Sequence, residues 1–193
     1  MKSLITALVF ITLVKVGFAQ QELLSFDEHN KYIYYQVMDM PGFPADTLHN
    51  RGICFLKTVV PKVKLKQTVA AGETSISGAG KLITYTGIGI MRHECGEITY
   101  LFNIEIKDQK YRYWLTGFTF TPYKRDRYDN QVPEPGVEIP LEAASTKLDK
   151  RDITSYLNQT GAFCKEFGDK LKLYMVNAPK KDESIKKIVT DKW

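Results

Sequence analysis

The sequence is poor in the residues that most often carry chemistry. It holds three histidines and three cysteines among 193 residues. His29, His49 and His93 are scattered, and no Cys/His pair stands at the spacing a zinc site needs. His93-Glu94-Cys95 is the densest group of potential ligands, but a zincin helix would place a second histidine where Glu97 stands. There is no G-x-S-x-G turn to present a serine nucleophile. Gly78-Ala79-Gly80-Lys81 lacks the glycine and hydroxyl residue of a phosphate loop, with Ser75 and Leu82 at those positions. Its glycines instead predict a bend or bulge in a strand. No metal, cofactor or catalytic residue is therefore assigned.

Cysteine is too sparse and too odd in number to build a disulfide scaffold. Cys54, Cys95 and Cys164 are expected to be reduced, two or more of them serving as small buried hydrophobes, with no Cys54–Cys164 bond. Neither sign of charge dominates: 27 Lys and Arg stand against 22 Asp and Glu. No internal repeat or low-complexity tract occurs.

What is present begins with an export pattern. Lys2 is followed by the apolar run Leu4 to Val14, and Gly17-Phe18-Ala19 places small residues before a cut ahead of Gln20. The run is too short to span a bilayer. Residues 1–19 read as a signal peptide, which predicts a soluble protein that is periplasmic or extracellular and has no transmembrane segment. Losing Lys2 and Lys15 lowers the formal charge from +5 to +3, too little to imply a polyanion partner. The sequence as a whole is 44% hydrophobic and 12% aromatic, and the part beyond residue 19 suits one globular domain.

Tyr32 to Met40 reads as a strand, and Pro41-Gly42 and Pro44 end it. Asp46 is the expected N-cap of a helix reaching about Val59, with Leu48, Gly52, Phe55, Leu56 and Val59 on one stripe and Cys54 nearly opposite. Lys62 to Val69 and Ser75 to Tyr85 read as antiparallel strands about Ala71-Gly72-Glu73. Gly87, Gly89 and Met91 to Gly96 read as a loop. Glu97 to Lys107 and Lys110 to Pro122 flank Asp108-Gln109, the mark of a tight hairpin. That turn sets residue 106 against 111, 104 against 113 and 102 against 115. One face then carries Ile98, Tyr100, Phe102, Ile104 and Ile106 beside Tyr111, Tyr113 and Leu115, and is a core face. Strict alternation puts Leu101, Asn103, Glu105, Arg112, Trp114, Thr116, Phe118 and Phe120 on the other, with Glu105 opposite Arg112. Residues 123–148 contain Pro133, Pro135 and Pro140 without a period and read as a long loop. A helix from Asp152 to about Met175 carries Ile153, Tyr156, Leu157, Thr160, Cys164, Phe167 and Leu171 on one stripe. Residues 177–193 form a charged tail.

The order β-α-β-β-β-β-α predicts an α+β fold, a curved antiparallel sheet of about five strands with two helices packed on one face. Several segments resemble one family in order and pattern: the export signal, the Tyr-rich strand, DTLHNRGICFL after the Pro-Gly turn, SISGAGKLITY, and DQKYRYWLTGFTF before a last helix. It is a family of exported Bacteroidota-type proteins, a domain of unknown function with a TATA-binding-protein-like (TBP-like) fold. The resemblance covers roughly residues 30–176. It implies a saddle-like sheet backed by two helices and no established activity.

The expected function is a non-enzymatic binding module. Its open sheet face, with Asn103, Glu105, Arg112, Trp114, Phe118 and Phe120, is expected to meet a protein or cell-envelope partner. The alternative is an envelope hydrolase using Glu105, Glu94, His93 and Arg112 beside loop 123–148. Lys110, Tyr111, Arg112, Tyr113 and Trp114 interleave bases with aromatics, yet Tyr111 and Tyr113 face the core in this register, and fold does not carry function. Nucleic acid is not an expected partner. The sequon Asn158-Gln159-Thr160 lies mid-helix and carries no weight in a bacterial host.

Overall fold

The computed structural model describes residues 23–60, 65–70, 73–87 and 89–177. The segment read as a signal peptide, residues 62–64 of the expected Lys62 to Val69 strand, the turn residues Ala71 and Gly72, and residues 178–193 of the charged tail lie outside the described residues.

The architecture is built on one antiparallel sheet. Its long members are β2 (Tyr32–Asp39), β3 (Lys66–Ala70), β4 (Glu73–Thr86), β5 (His93–Lys107) and β6 (Lys110–Arg125), with β1 (Ser25–Phe26) a short flank. The spatial order is β1-β2-β6-β5-β4-β3. Helix α1 (Ala45–Val59) and helix α2 (Lys150–Val176) lie together on one face. The five long strands and two helices are the expected set. Among the described residues the full count of eight strands exceeds it by the short β1 and by β7 (Gln131–Pro133) and β8 (Ile139–Pro140), which arise within the segment read as a loop.

The β5–β6 hairpin has the expected register, with Ile106 opposite Tyr111, Ile104 opposite Tyr113 and Phe102 opposite Leu115. All six of these side chains are buried. The alternation then breaks. Gly117 adopts φ +66°, and the register shifts between Thr99 and Leu101. This is a β-bulge with glycine in the left-handed region, and one extra residue reverses the face of everything beyond it. Phe118 and Phe120 therefore point into the core at 1% and 2% exposure, which corrects their expected place on the open face.

Two further expectations are corrected nearby. Met91 to Gly96 is not a loop throughout, because β5 begins at His93 and pairs Thr86 with His93 and Tyr85 with Glu94 past a second register shift. Gly80 bends nothing: it makes room, since an added Cβ would lie 2.4 Å from the ring of Tyr100. The glycine lets that buried aromatic lie across its neighbouring strand.

The α1 stripe is as read, with Leu48, Gly52, Phe55 and Leu56 buried. Its start differs. Pro44 occupies the cap position, Asp46 sits in the first turn, and the Ala45 N–H donates to Asp108 Oδ1 at 2.8 Å. The carboxylate that satisfies this helix end comes from the distant hairpin turn. The same turn bonds the chain between β2 and α1: the Met40 N–H donates to Gln109 O, and the Gln109 N–H to Phe43 O. Helix α2 buries Tyr156, Thr160, Cys164, Phe167, Leu171 and Met175. Phe167 meets Phe55 edge-on at 5.0 Å, which ties the two helices. Arg51 of α1 donates to Met175 O and Val176 O and so caps the C-terminus of α2.

Residues 123–148 are a flap on the sheet edge. β7 folds back on Tyr123–Arg125 through a turn held by the Asp126 carboxylate, which accepts the N–H groups of Tyr128 and Asn130. β8 pairs with Thr119 and Phe120, on the same side of β6 that β2 occupies further along. Ile139, Leu141 and Ala144 are buried in the helix-side core. The glutamate Glu142 accepts the Tyr32 N–H at 2.8 Å. The flap closes the end of the core with its own apolar side chains on the helix side of the sheet.

All three cysteines are free. Cys164 is fully buried, while Cys54 and Cys95 are only half-buried. His49 is half-buried, and its Nε2 is buried without a hydrogen-bond partner among the described residues. Among the described residues no helix is long and apolar enough to cross a membrane.

Candidate functional site: the open sheet face

The pairing of β2 with β6 decides what surrounds Trp114. Tyr35 lies opposite Trp114, and Val37 opposite Arg112, so both share the face that turns away from the helices. The Tyr35 and Trp114 rings stand 6.4 Å apart at 34°. Tyr35 is 45% exposed, Val37 51% and Leu101 55%, and Trp114 is half-buried among them. Large apolar side chains left on a sheet that already has a full core on its other side are the informative departure from ordinary burial.

Around them runs a continuous polar network. The Ser75 hydroxyl donates to Asn103 Oδ1 at 2.7 Å, and the Asn103 amide reaches Glu105 Oε1 at 3.4 Å. Glu105 takes the Arg112 guanidinium in a short two-pronged ion pair. Glu73 lies 3.8 Å from the same guanidinium and 3.1 Å from Lys107 Nζ. These contacts raise Arg112 above its already high value, Glu105 contributing most. They hold the Glu73 carboxyl below its ordinary value, the Lys107 bond contributing most. The Arg112 guanidinium also lies 5.8 Å from the Trp114 ring, a cation–π approach. A cavity of about 180 Å³ opens here between Tyr35, Val37, Glu73, Glu105 and Arg112.

Four of the six expected residues, Asn103, Glu105, Arg112 and Trp114, thus come together. Phe118 and Phe120 do not. The sequence reading missed Tyr35, Val37, Ser75 and Glu73. A signal for two of them existed in the alternation of β2, where Tyr34 is buried and Tyr35 is not, but it needed the β2–β6 pairing to become a site.

The hydrolase constellation has no such convergence. His93 opens β5 and Glu105 lies twelve positions along the same strand, about 40 Å away at the rise of an extended chain. The His93 Nδ1 lies 3.0 Å from Met91 O, and Glu94 pairs across to Tyr85. Arg112 stays with Glu105 at the far end. Cys95 lies 3.5 Å from both the Tyr156 hydroxyl and Thr84 Oγ1, with no histidine among these partners. Among the described residues no three His, Cys, Asp or Glu side chains cluster as a metal site.

A second polar group occupies the other end of the open face. Glu97 is 8% exposed and bonds the Lys81 ammonium and the Tyr123 hydroxyl. Burial first, then the Glu97 charge, pushes Tyr123 up to about 12. This is a satisfied buried acid rather than a free one.

The chain matches no curated protein sequence. Crystal structures share its fold, and two of them compare as follows. One is a TBP-like protein from Parabacteroides distasonis, 13% identical, with a TM-score of 0.56 over 77% of this chain and 95% of that one. The other is a DUF4468 family protein from Bacteroides ovatus, 12% identical, with a TM-score of 0.58 over 82% of this chain and 93% of that one. At such identities the likeness speaks for the fold alone. Residues 34–121, from β2 through the bulged hairpin, match the family model DUF4468, described as a domain of unknown function with TBP-like fold.

Proposed function

We propose that the protein is an exported, non-enzymatic binding module, and that its open sheet face is the contact surface for a protein or cell-envelope partner. The observation that carries the reading is the Tyr35–Trp114 pair, half-exposed and bordered by exposed Val37 and Leu101, on the sheet face opposite the core. Aromatic anchors with a polar rim are the usual make-up of a recognition patch. The polar rim is already hydrogen-bonded to itself, so docking does not require disordered side chains to be ordered first. The export pattern in residues 1–19 supplies the compartment.

The test uses purified mature protein and isolated cell-envelope fractions, compared by co-sedimentation with Trp114→Ala and Tyr35→Ala. Both variants are expected to weaken binding at least about tenfold, the loss of about 1.4 kcal/mol that a central anchor supplies. Their thermal midpoints should stay near wild type, because neither side chain belongs to the core. Binding that is undiminished in both variants would remove the open face from the account. Mass spectrometry of the exported protein is expected to find an N-terminus at Gln20.

A further inference from the structure

Among the described residues, the outer edge of β2 has no strand partner over most of its length. β1 covers only Tyr32 and Ile33. The direction of the remaining backbone groups follows from two hydrogen bonds. The Met40 N–H donates to Gln109 O on the β6 side, so even-numbered residues of β2 bond inward. The Asp27 N–H donates to Lys31 O on the β1 side, so odd-numbered residues bond outward. The N–H and C=O groups of Tyr35, Val37 and Asp39 therefore point out of the sheet, with no backbone partner among the described residues. Exposed edges are normally blunted by lysine, proline, a bulge or shortness. Over Tyr34 to Asp39 this edge has none of these, and it exposes Tyr35 and Val37.

We propose that β2 pairs with β2 of a second copy of this chain, antiparallel about a two-fold axis at Val37, to form a homodimer with one continuous sheet. The window fits this occupant. It is bounded by β1 at one end and by the Pro41-Gly42 turn at the other, so two copies meet without either flank colliding with the partner's ladder. In this register Val37 faces Val37 of the partner subunit, and Tyr35 faces Asp39 of the partner subunit. Every outward N–H and C=O of the three residues is then satisfied. Charge selects the antiparallel sense. Asp39 is the only charged residue of β2, and parallel pairing would set the two copies side by side. The two-fold arrangement keeps them apart and places each beside a tyrosine. It also joins the two open faces, so that two Tyr35–Trp114 pairs share one surface. The inference stands apart from the binding reading, since it rests on the edge and not on the face.

The Val37 N–H points away from β6, so proline at this position removes an intermolecular donor and leaves the ladder to β6 intact. Val37→Glu places two like charges directly opposite each other across the axis, while within each chain it lies beside Arg112. Sedimentation velocity of the mature protein up to about 100 µM is expected to show a dimer that dissociates on dilution. Val37→Pro and Val37→Glu should each raise the dissociation constant at least about tenfold, and Val37→Thr should preserve the dimer. Circular dichroism checks that each variant is folded, and Val37→Glu decides the matter should the proline variant fail to fold. A wild-type monomer throughout this range, or a dimer indifferent to Val37→Glu, would overturn the proposal.

Discussion

Replacing Gly117 with alanine tests the bulge on which the two faces of β6 depend. At φ +66° an L-residue pays a left-handed penalty of about 1–2 kcal/mol. Steric contact adds nothing, because the new Cβ would meet Leu101 Cδ1 and Cγ at 3.5 and 3.6 Å, ordinary van der Waals distances. Alanine restricts the unfolded chain more than glycine does and returns about 0.4–1 kcal/mol. The net is a destabilisation of about 1 kcal/mol, or about 2–4 °C in thermal midpoint for a domain of this size. Asparagine tolerates the left-handed region better, so Gly117→Asn is expected to lie between alanine and wild type. Urea unfolding followed by tryptophan fluorescence, with an unchanged slope against denaturant, gives the number. A Gly117→Ala variant as stable as wild type or more so would mean that the left-handed bulge is absent. Phe118 and Phe120 would then return to the open face that strict alternation assigns them.

Three further outcomes follow from the packing. Asp108→Ala removes the carboxylate that accepts the Ala45 N–H, and is expected to cost about 0.5–2 kcal/mol in urea unfolding, with a lesser cost for Asp108→Asn. Burial pushes Tyr111 up to about 12 and raises Tyr100, Tyr113 and Tyr156 as well. An unfolded tyrosine ionises near 10, so above about pH 10 the unfolded chain loses protons that the native state keeps, and stability must fall as pH rises; a constant urea midpoint from about pH 9 to 11 would refute this. Burial likewise pushes the Cys164 thiol up to about 12, so a thiol reagent at mildly alkaline pH should label Cys54 in the native state and reach Cys164 only on unfolding.

The parts of the fold legible in the sequence are those set by local rules. Asp108-Gln109 is a two-residue turn, and it fixes the register of β5 and β6 as far as residue 116. Helical stripes identify Phe55 and Leu56 on α1 and Phe167 and Leu171 on α2 because a 3.6-residue period is a local property. The open-face residues Asn103, Glu105, Arg112 and Trp114 follow from the same turn. The failures all involve something brought from afar. Gly117 looked like one more strand residue, because a bulge shows only when two strands are counted against each other. His93 and Glu94 looked like loop because they are polar, and pairing with β4 overrides that composition. Asp46 looked like a cap, but Pro44 holds that position and the carboxylate that accepts the Ala45 N–H is Asp108, brought in by tertiary structure. Residues 123–148 have no period because their strands are two or three residues long, and their burial comes from an edge of β6 that the segment itself does not reveal.

The polar network beside Trp114 also bears on the class of partner. Arg112 is committed to Glu105, Lys107 to Glu73, and at the far end Lys81 to Glu97. A polyanion gains affinity by releasing counterions from its phosphates as lysines and arginines neutralise them, and bases already neutralised by carboxylates contribute little to that release. Breaking the Arg112–Glu105 pair to free the guanidinium would leave Glu105, which is 18% exposed at its side chain, without its partner. The TBP-like frame therefore supports an open face whose chemistry is apolar contact at Tyr35, Val37, Trp114 and Leu101, bordered by Arg112, Lys107 and Lys81 in ion pairs. Binding through such a face should depend weakly on salt. A log–log salt slope close to zero for the proposed partner fits this surface, whereas a slope as steep as several phosphate contacts would require basic side chains that these ion pairs hold in place.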